Sequence, residues 1–131
     1  MRSPLHRPGR RLTPPILQHA DDLRWLLVIP EAVDPRAAGI LEWRIADGPA
    51  FVVRATDMVR AIRQYEDSVW RLGRGLPHRT GGYRPMHHAL RAAVDGNRLV
   101  TVAVLETCPP ADLAARKAHW QALRGTPGAD A

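Results

Sequence analysis

A predicted β-hairpin constrains the fold of this chain more than any other feature. In "GILEWRIADGPAFVVRATD", residues 39–57, apolar and polar residues roughly alternate on each side of Asp47-Gly48. This dipeptide is favoured in tight hairpin turns, so we predict antiparallel strands near residues 40–45 and 50–55. Asp57 follows the second strand and can cap a helix by accepting a hydrogen bond from an otherwise unpaired backbone amide. The stretch therefore predicts a hairpin that runs directly into a helix.

The rest of the chain predicts three helices and one further strand downstream of the hairpin. The helix after Asp57 is amphipathic, with a second helix expected from Pro85 to Gly96 and a last one between Pro110 and Gly125. "RLVTVAVLE", residues 98–106, has the β-branched content of a strand buried on both faces. The apolar stripe of the first of these helices consists of Met58, Ile62, Tyr65, Val69 and Leu72.

The N-terminal third is predicted to be less regular. Residues 1–14 are basic, rich in proline and without periodicity, which is typical of a flexible arm. Residues 15–37 form an extension in which apolar residues from Pro15 to Leu27 recur at helical spacing before an extended segment. Residues 38–125 form the main domain, and residues 126–131 a frayed tail. The predicted fold class is α/β (α+β): a small three-stranded, mainly antiparallel sheet flanked by helices.

The charge of the chain favours an anionic partner. It holds 19 basic against 13 acidic residues, a formal net charge of +6, and Lys117 is the only lysine. Nucleic acid is the most common partner of such a chain, and an acidic protein or a membrane surface is a less common one. Arginine offers a planar fork of donors that matches phosphate oxygens. A GC-rich genome also explains a high arginine content, but it does not explain the net charge.

Cysteine use and hydropathy indicate a cytoplasmic protein without a membrane partner. Cys108 is the only cysteine, which excludes an intrachain disulfide and a cysteine-based zinc site and fits a reducing compartment. The longest apolar run, residues 25–30, is far too short to span a bilayer. The basic N-terminus is not followed by the apolar core of a signal peptide, so we expect no export signal.

The element order and several stretches resemble the GIY-YIG nuclease domain over about residues 38–125. Members of that family carry Gly-Ile-Tyr and Tyr-Ile-Gly on the two hairpin strands, an arginine and a histidine one turn apart on the next helix, and a glutamate before an aromatic residue on the last helix. Gly39-Ile40-Leu41 and Phe51-Val52-Val53 stand at the hairpin positions. The other similar stretches are "ATDMVRAIRQY", "YRPMHHALRAAV", "VTVAVLETCPPADL" and "RKAHWQAL".

The departures from the family pattern fall on its chemistry. The resemblance implies a tyrosine that helps to activate water, an arginine on the scissile phosphate and a glutamate that binds one divalent metal. A lysine cannot donate a carboxylate oxygen to magnesium, and an alanine brings no charge to a transition state. We therefore predict no catalytic residues and no cofactor, with magnesium only if the protein is an active nuclease. The degenerate motif positions are Leu41, Phe51, Ala61, Tyr65 and Lys117.

Basic side chains extend from the second hairpin strand along the next helix into a glycine-rich loop. In the resembled family this side faces the nucleic acid, and arginines at helical spacing can follow a phosphate backbone. An ordinary solvated helix face is the alternative. The predicted nucleic-acid-binding residues are Arg54, Arg60, Arg63, Arg71, Arg74, His78, Arg79 and Arg84.

The histidines and tryptophans leave other interpretations open. His87 and His88 are adjacent on a predicted helix and point about 100° apart, so they do not form the i,i+4 pair of a zinc site. We expect them to be solvated or to contact phosphate. The tryptophans that could stack on bases are Trp25, Trp43, Trp70 and Trp120. Trp120 lies on an apolar stripe and is expected in the core, Trp43 is ambiguous, and Trp70 is a candidate partner contact.

Three functional hypotheses follow from the sequence. The leading one is a non-catalytic DNA-binding protein on a degenerate GIY-YIG scaffold, acting in regulation or DNA maintenance. The second is a divergent, metal-dependent endonuclease, in which Tyr65 and Arg63 serve a rearranged site. The third is a protein-interaction module or a partner subunit of a nuclease.

Overall fold

Residues 25–124 form an α+β fold in which three helices flank one four-stranded mixed sheet. The computed structural model describes residues 25–124. The strands are β1 (Trp25–Val28), β2 (Gly39–Ile45), β3 (Ala50–Ala55) and β4 (Val100–Thr107), in the spatial order β1-β4-β2-β3. The helices are α1 (Met58–Gly73), α2 (Pro85–Asp95) and α3 (Leu113–Arg124), with a short 3₁₀ turn at Pro110–Asp112 before α3.

The predicted hairpin is confirmed. β2 and β3 pair antiparallel, with Leu41 opposite Val53. Asp47 takes a positive φ of 58°, and the amide of Gly48 donates to the carbonyl of Ile45 at 2.9 Å. Aspartate adopts this left-handed conformation more readily than most residues, which is why the Asp-Gly pair was a usable turn signal.

Gly39 holds the first strand of the hairpin close to its neighbour. A Cβ at this position would collide with the backbone oxygen of Glu106 on β4 and lie 2.9 Å from Sδ of Met58. Only glycine allows the two strands and the start of α1 to approach this closely. Packing alone therefore explains the glycine at position 39, where the resembled family has the first residue of Gly-Ile-Tyr.

The sheet has four strands rather than the three predicted. β1 pairs parallel with β4, with Trp25 opposite Val100. The predicted helix reaching Leu27 is therefore wrong at its C-terminal end, because Trp25 and Leu27 alternate inward at 1% and 2% exposure with exposed Leu26 between them. The remainder of that helix (residues 15–24), the basic arm (1–14) and the tail (126–131) lie outside the described residues.

Helix α1 begins where the sequence predicts. Asp57 Oδ1 accepts a hydrogen bond from the amide of Arg60 at 3.1 Å and caps the helix. Met58, Ile62 and Val69 of the predicted stripe are buried, whereas Tyr65 and Leu72 are half-buried. The buried face also contains Glu66, which the apolar pattern did not include.

The two faces of the sheet carry different cores. Helices α1 and α2 cover the face that holds Trp25 and Trp43, whose rings meet edge to face at 4.7 Å. Helix α3 packs mainly against β2 and β3 and forms a smaller cluster around Ile40, Val52 and Leu113. Because α3 leaves most of β4 uncovered, that strand is fully buried only at two positions, Val100 and Val102, and not on both faces as predicted.

Candidate nucleic-acid interface

A concave cleft of about 840 Å³ opens between α1, α3 and the glycine-rich loop (residues 74–84). The end of β3 contributes Val53 and the exposed Arg54 to its lining. This volume lies in the range of roughly 300–1,000 Å³ that is typical of ligand sites. The other lining residues are Arg60, Ala61, Arg63, Gln64, Tyr65, Asp67, Ser68, His78, Arg79, Thr80, Arg84, His87 and Lys117.

Six of the eight residues predicted to bind nucleic acid line this one cleft. They come from separate elements: the end of β3, the first two turns of α1, the loop and the N-cap position of α2. The side chains of Arg60 and Arg63 lie on the same side of α1, because residues three apart share a helix face. The six are Arg54, Arg60, Arg63, His78, Arg79 and Arg84.

The two remaining predicted residues, Arg71 and Arg74, lie outside the cleft at the C-terminal end of α1. Arg71 Nε donates to the backbone oxygen of Pro77 at 3.0 Å. The guanidinium of Arg74 lies over the ring of Trp70, 5.0 Å from its centre. The helical spacing of these arginines is real, but the loop folds back over this end of the helix and separates them from the others.

The cleft is strongly electropositive. Arg54, Arg60, Arg63 and Arg84 are exposed, and none of them forms an ion pair with another residue in the range 25–124. Arg79 differs from these four arginines, because its Nε and Nη2 donate hydrogen bonds to the carboxylate of Asp67 at 2.7 and 3.2 Å. Like charges converging on a concave surface focus the potential and attract an anion.

The glycine-rich loop forms a fixed wall of the cleft. The bidentate bond between Arg79 and Asp67 ties the loop to α1. Tyr83 Oη donates to the backbone oxygen of Leu76 at 2.7 Å and closes the loop on itself. These side-chain hydrogen bonds hold the loop against α1 at one side of the cleft.

Backbone amides orient the two histidines of the cleft. His78 Nδ1 accepts from the amides of Thr80 and Gly81 at 3.2 and 3.1 Å, and His87 Nδ1 accepts from the amide of Arg84 at 3.0 Å. In a neutral imidazole whose Nδ1 accepts, the proton resides on Nε2. Each neutral ring then offers an N–H donor and has no lone pair left to accept a proton from a substrate.

His87 is held in its neutral form. Burial, together with the smaller effects of the nearby His78, Arg84 and His88, lowers the pKa of its imidazole to about 4. The side chain is only 4% exposed, so the expectation that this histidine is solvated is wrong. His88, its neighbour in sequence, is exposed.

Aromatic rings continue from the core to the cleft. Tyr65 contacts Trp43 on the core side at 5.0 Å between ring centres, and His87 on the cleft side at 5.5 Å. His87 in turn contacts His78 at 5.2 Å. Trp43 is 0% exposed, so it cannot stack on a base. Tyr65, His78 and His87 all line the cleft, and of these Tyr65 and His78 are half-buried whereas His87 is buried.

The positions that the nuclease resemblance assigns to chemistry divide into two groups. Ala61, Tyr65 and Lys117 line the cleft. Leu41 and Phe51, which stand where the family has tyrosines, are 0% and 5% exposed and belong to the hydrophobic core. The hairpin therefore supplies packing, not hydroxyl groups, next to the cleft.

The donor set of the cleft does not fit a divalent cation. Magnesium is bound by carboxylate and other oxygen ligands. Asp67 is the only carboxylate among the lining residues, and both of its oxygens accept hydrogen bonds from Arg79. Residues 25–124 contain no group of three or more histidine, cysteine, aspartate or glutamate side chains arranged for a metal ion.

The cleft also contains residues that sequence reasoning missed. Gln64 and Ser68 lie one turn apart on the α1 face that includes Ala61, so helical periodicity was the signal that could have found them. His87 gave no such signal, because its place depends on how α2 packs against α1. No helix among the described residues combines the length and the apolar character needed to cross a bilayer.

Comparisons with known proteins give no independent family assignment. No protein-family model, no curated protein and no solved structure matches this chain.

Proposed function

We propose that this protein binds DNA without cutting it, through a cleft on a degenerate GIY-YIG scaffold. The observation that carries the proposal is the convergence on one concave surface, next to Ala61 and Lys117, of four exposed arginines that form no ion pair within residues 25–124. These two residues stand where the resembled nucleases have a phosphate-binding arginine and a metal-binding glutamate. We place this activity in regulation or DNA maintenance, in the cytoplasm.

The chemistry of the cleft supports a phosphate ligand. A guanidinium binds two phosphate oxygens at once, and its charge persists at any physiological pH. Arg54, Arg60 and Arg63 project from consecutive elements at one rim, where successive phosphates of a strand can each meet one arginine. Most contacts between proteins and DNA are of this kind, and they position the protein without reading the sequence.

Among the described lining residues, neither a metal-binding carboxylate nor an imidazole with a free lone pair is available for phosphodiester cleavage. A general base needs a free lone pair, and both imidazoles engage Nδ1 with backbone amides. Lys117 replaces the metal-binding carboxylate, and losing one positioned electrostatic group typically lowers a rate by about 10² to 10³. Binding is therefore favoured over catalysis.

A single series of reactions tests both halves of the proposal. Labelled linear, nicked and branched DNA is incubated with the protein in one buffer containing Mg²⁺ or Mn²⁺, and each sample is divided between a native and a denaturing gel. We expect retarded complexes on the native gel and intact strands on the denaturing gel. Arg44→Gln, which removes a charge from an exposed arginine outside the cleft, should leave the shift unchanged.

A divergent active endonuclease is the second candidate, because Tyr65 and Arg63 both line the cleft. The same gels decide between the two. Metal-dependent cleavage by the wild-type protein that disappears in Tyr65→Phe and in Arg63→Ala would establish the second candidate and overturn the first. Absence of any retarded complex at low salt, together with intact strands, would exclude both.

A further inference from the structure

We propose that the cleft receives an unpaired nucleotide, so that the protein prefers single-stranded segments in DNA to a continuous duplex. This inference rests on the proposed DNA binding and adds the class of DNA that the cleft selects. In this arrangement the base lies against the rings of Tyr65 and His78, and the neighbouring phosphates meet the arginines of the rim.

The shape of the cleft is the first reason. It is concave, with a volume of about 840 Å³, and the loop wall closes one side through the bond between Arg79 and Asp67. A duplex presents its phosphates on a convex surface and keeps its base faces covered by stacking. A nucleotide outside a duplex can enter a concave site and offer both faces of its base.

The position of the aromatic rings is the second reason. His78 and Tyr65 are half-buried and line the cleft, so each has a supported and an accessible part. Tyr65 packs on Trp43, and His78 packs edge-on against Tyr83 at 5.1 Å. Because both rings are held before a ligand arrives, stacking on them costs little side-chain entropy.

The hydrogen bonding of the two histidines is the third reason. Nδ1 of His78 and of His87 is engaged by backbone amides, so neutral rings offer N–H donors at Nε2. Base edges carry oxygen and nitrogen acceptors that such donors can bind. The cleft thus combines charge for phosphates with flat surfaces and donors for a base, which is the combination found in proteins that bind single strands.

The test compares four 12-nucleotide probes by fluorescence anisotropy. They are a labelled single strand of mixed sequence, the same strand with its complement, the duplex with a short 3′ overhang, and the single strand with abasic sites at its centre. The wild-type protein should bind the single strand and the overhang more tightly than the blunt duplex. Removing the bases should weaken binding to the single strand by about 5- to 150-fold, since stacking contributes roughly that factor per base.

His78→Asn isolates the ring from the fold. The amide oxygen of asparagine can accept from Thr80 and Gly81 in place of Nδ1, so the loop keeps its hydrogen bonds while the aromatic surface is lost. This variant keeps Tyr65, so it should discriminate between the normal and the abasic strand less than the wild type does, and its circular dichroism melt should match that of the wild type. Unchanged discrimination would contradict stacking on His78. Arg44→Gln is the control and should discriminate between the two strands as the wild type does.

The remaining outcomes of the binding experiment contradict either the inference alone or the inference together with the proposed function. Equal or tighter binding of the blunt duplex, or equal binding of the abasic and the normal strand by the wild type, overturns the inference and leaves DNA binding in place. Failure to bind any of the four probes at low salt overturns the inference together with the proposed function.

Discussion

Among residues 25–124, Glu66 is the residue whose protonation in the folded protein differs most from that in solution. It is 2% exposed on the inner face of α1, and neither carboxylate oxygen has a hydrogen-bond partner. Burial raises its pKa from the ordinary 4.5 to about 8, against a smaller opposing effect of Arg63. At neutral pH the side chain is therefore protonated in the folded protein.

This shift predicts a pH dependence of stability. Below pH 4.5 the carboxyl is protonated in both the folded and the unfolded state, so its ionisation does not lower the free energy of unfolding. As the pH rises from 4.5 towards 8, the unfolded state releases the proton first, and the free energy of unfolding falls. Glu66→Gln removes this dependence. The variant should therefore gain on the order of 3 kcal/mol relative to the wild type between pH 4.5 and 7.

Urea denaturation of the two proteins at several pH values measures this gain. His87 also changes the stability over this range, because its pKa is about 4 in the folded protein against an ordinary value of 6.5, but it contributes equally to both proteins and cancels in the difference. A difference in stability that stays constant from pH 4.5 to 7 would show that Glu66 is ionised in the folded state.

At the scale of the element, α1 positions two of the cleft arginines, Arg60 and Arg63. Asp57 fixes the start of the helix through its bond to the amide of Arg60, and its other oxygen accepts from Arg36 at 2.9 Å. The ion pair with Arg36 is exposed and contributes little. The cap is the stronger interaction, because it satisfies a backbone donor that the helix itself leaves unpaired.

Removing the cap should destabilise the protein measurably. Asp57→Ala is expected to lower the free energy of unfolding by about 1 kcal/mol, within the range of roughly 0.5–2 kcal/mol for lost N-caps. Asp57→Asn is the matched control, since its side-chain oxygen can still accept from Arg60 and it should remain close to the wild type. Equal loss in both variants, measured by urea denaturation, would mean that the charge on Asp57 and not the cap is what matters.

Elements with strong local signals were predictable from the sequence. The hairpin was marked by Asp47-Gly48, and α1 by Asp57 and its apolar stripe, so both were predicted in place. β1 was not, because four residues are too few to show a period and its pairing partner, β4, lies about 70 residues further along the chain. A parallel pairing of this kind has no signal in either strand alone.

At the scale of the whole molecule, the cleft was predictable only in part. The arginines on β3 and α1 were found because they share a face and lie close in sequence. The sequence could not predict that Arg74 lies outside the cleft or that His87 lines it, because both positions depend on how the loop and α2 fold against α1. The same holds for Glu66, since an isolated carboxylate within an amphipathic pattern gives no sign that it is buried.

The central claim is that DNA phosphates are bound by the cleft and not by the basic surface in general. The most direct measurement is the salt dependence of DNA affinity for two double variants of equal charge. Arg60→Gln/Arg63→Gln alters the cleft, whereas Arg44→Gln/Arg74→Gln alters arginines outside it. Each lost phosphate contact should reduce the slope of log K against log salt concentration by about 0.9 for a duplex.

The slope should therefore fall by about 2 in the cleft variant, with a lower affinity at every salt concentration, and should keep the wild-type value in the control variant. Equal losses of slope in the two variants, or a cleft variant with the wild-type slope, would contradict the claim.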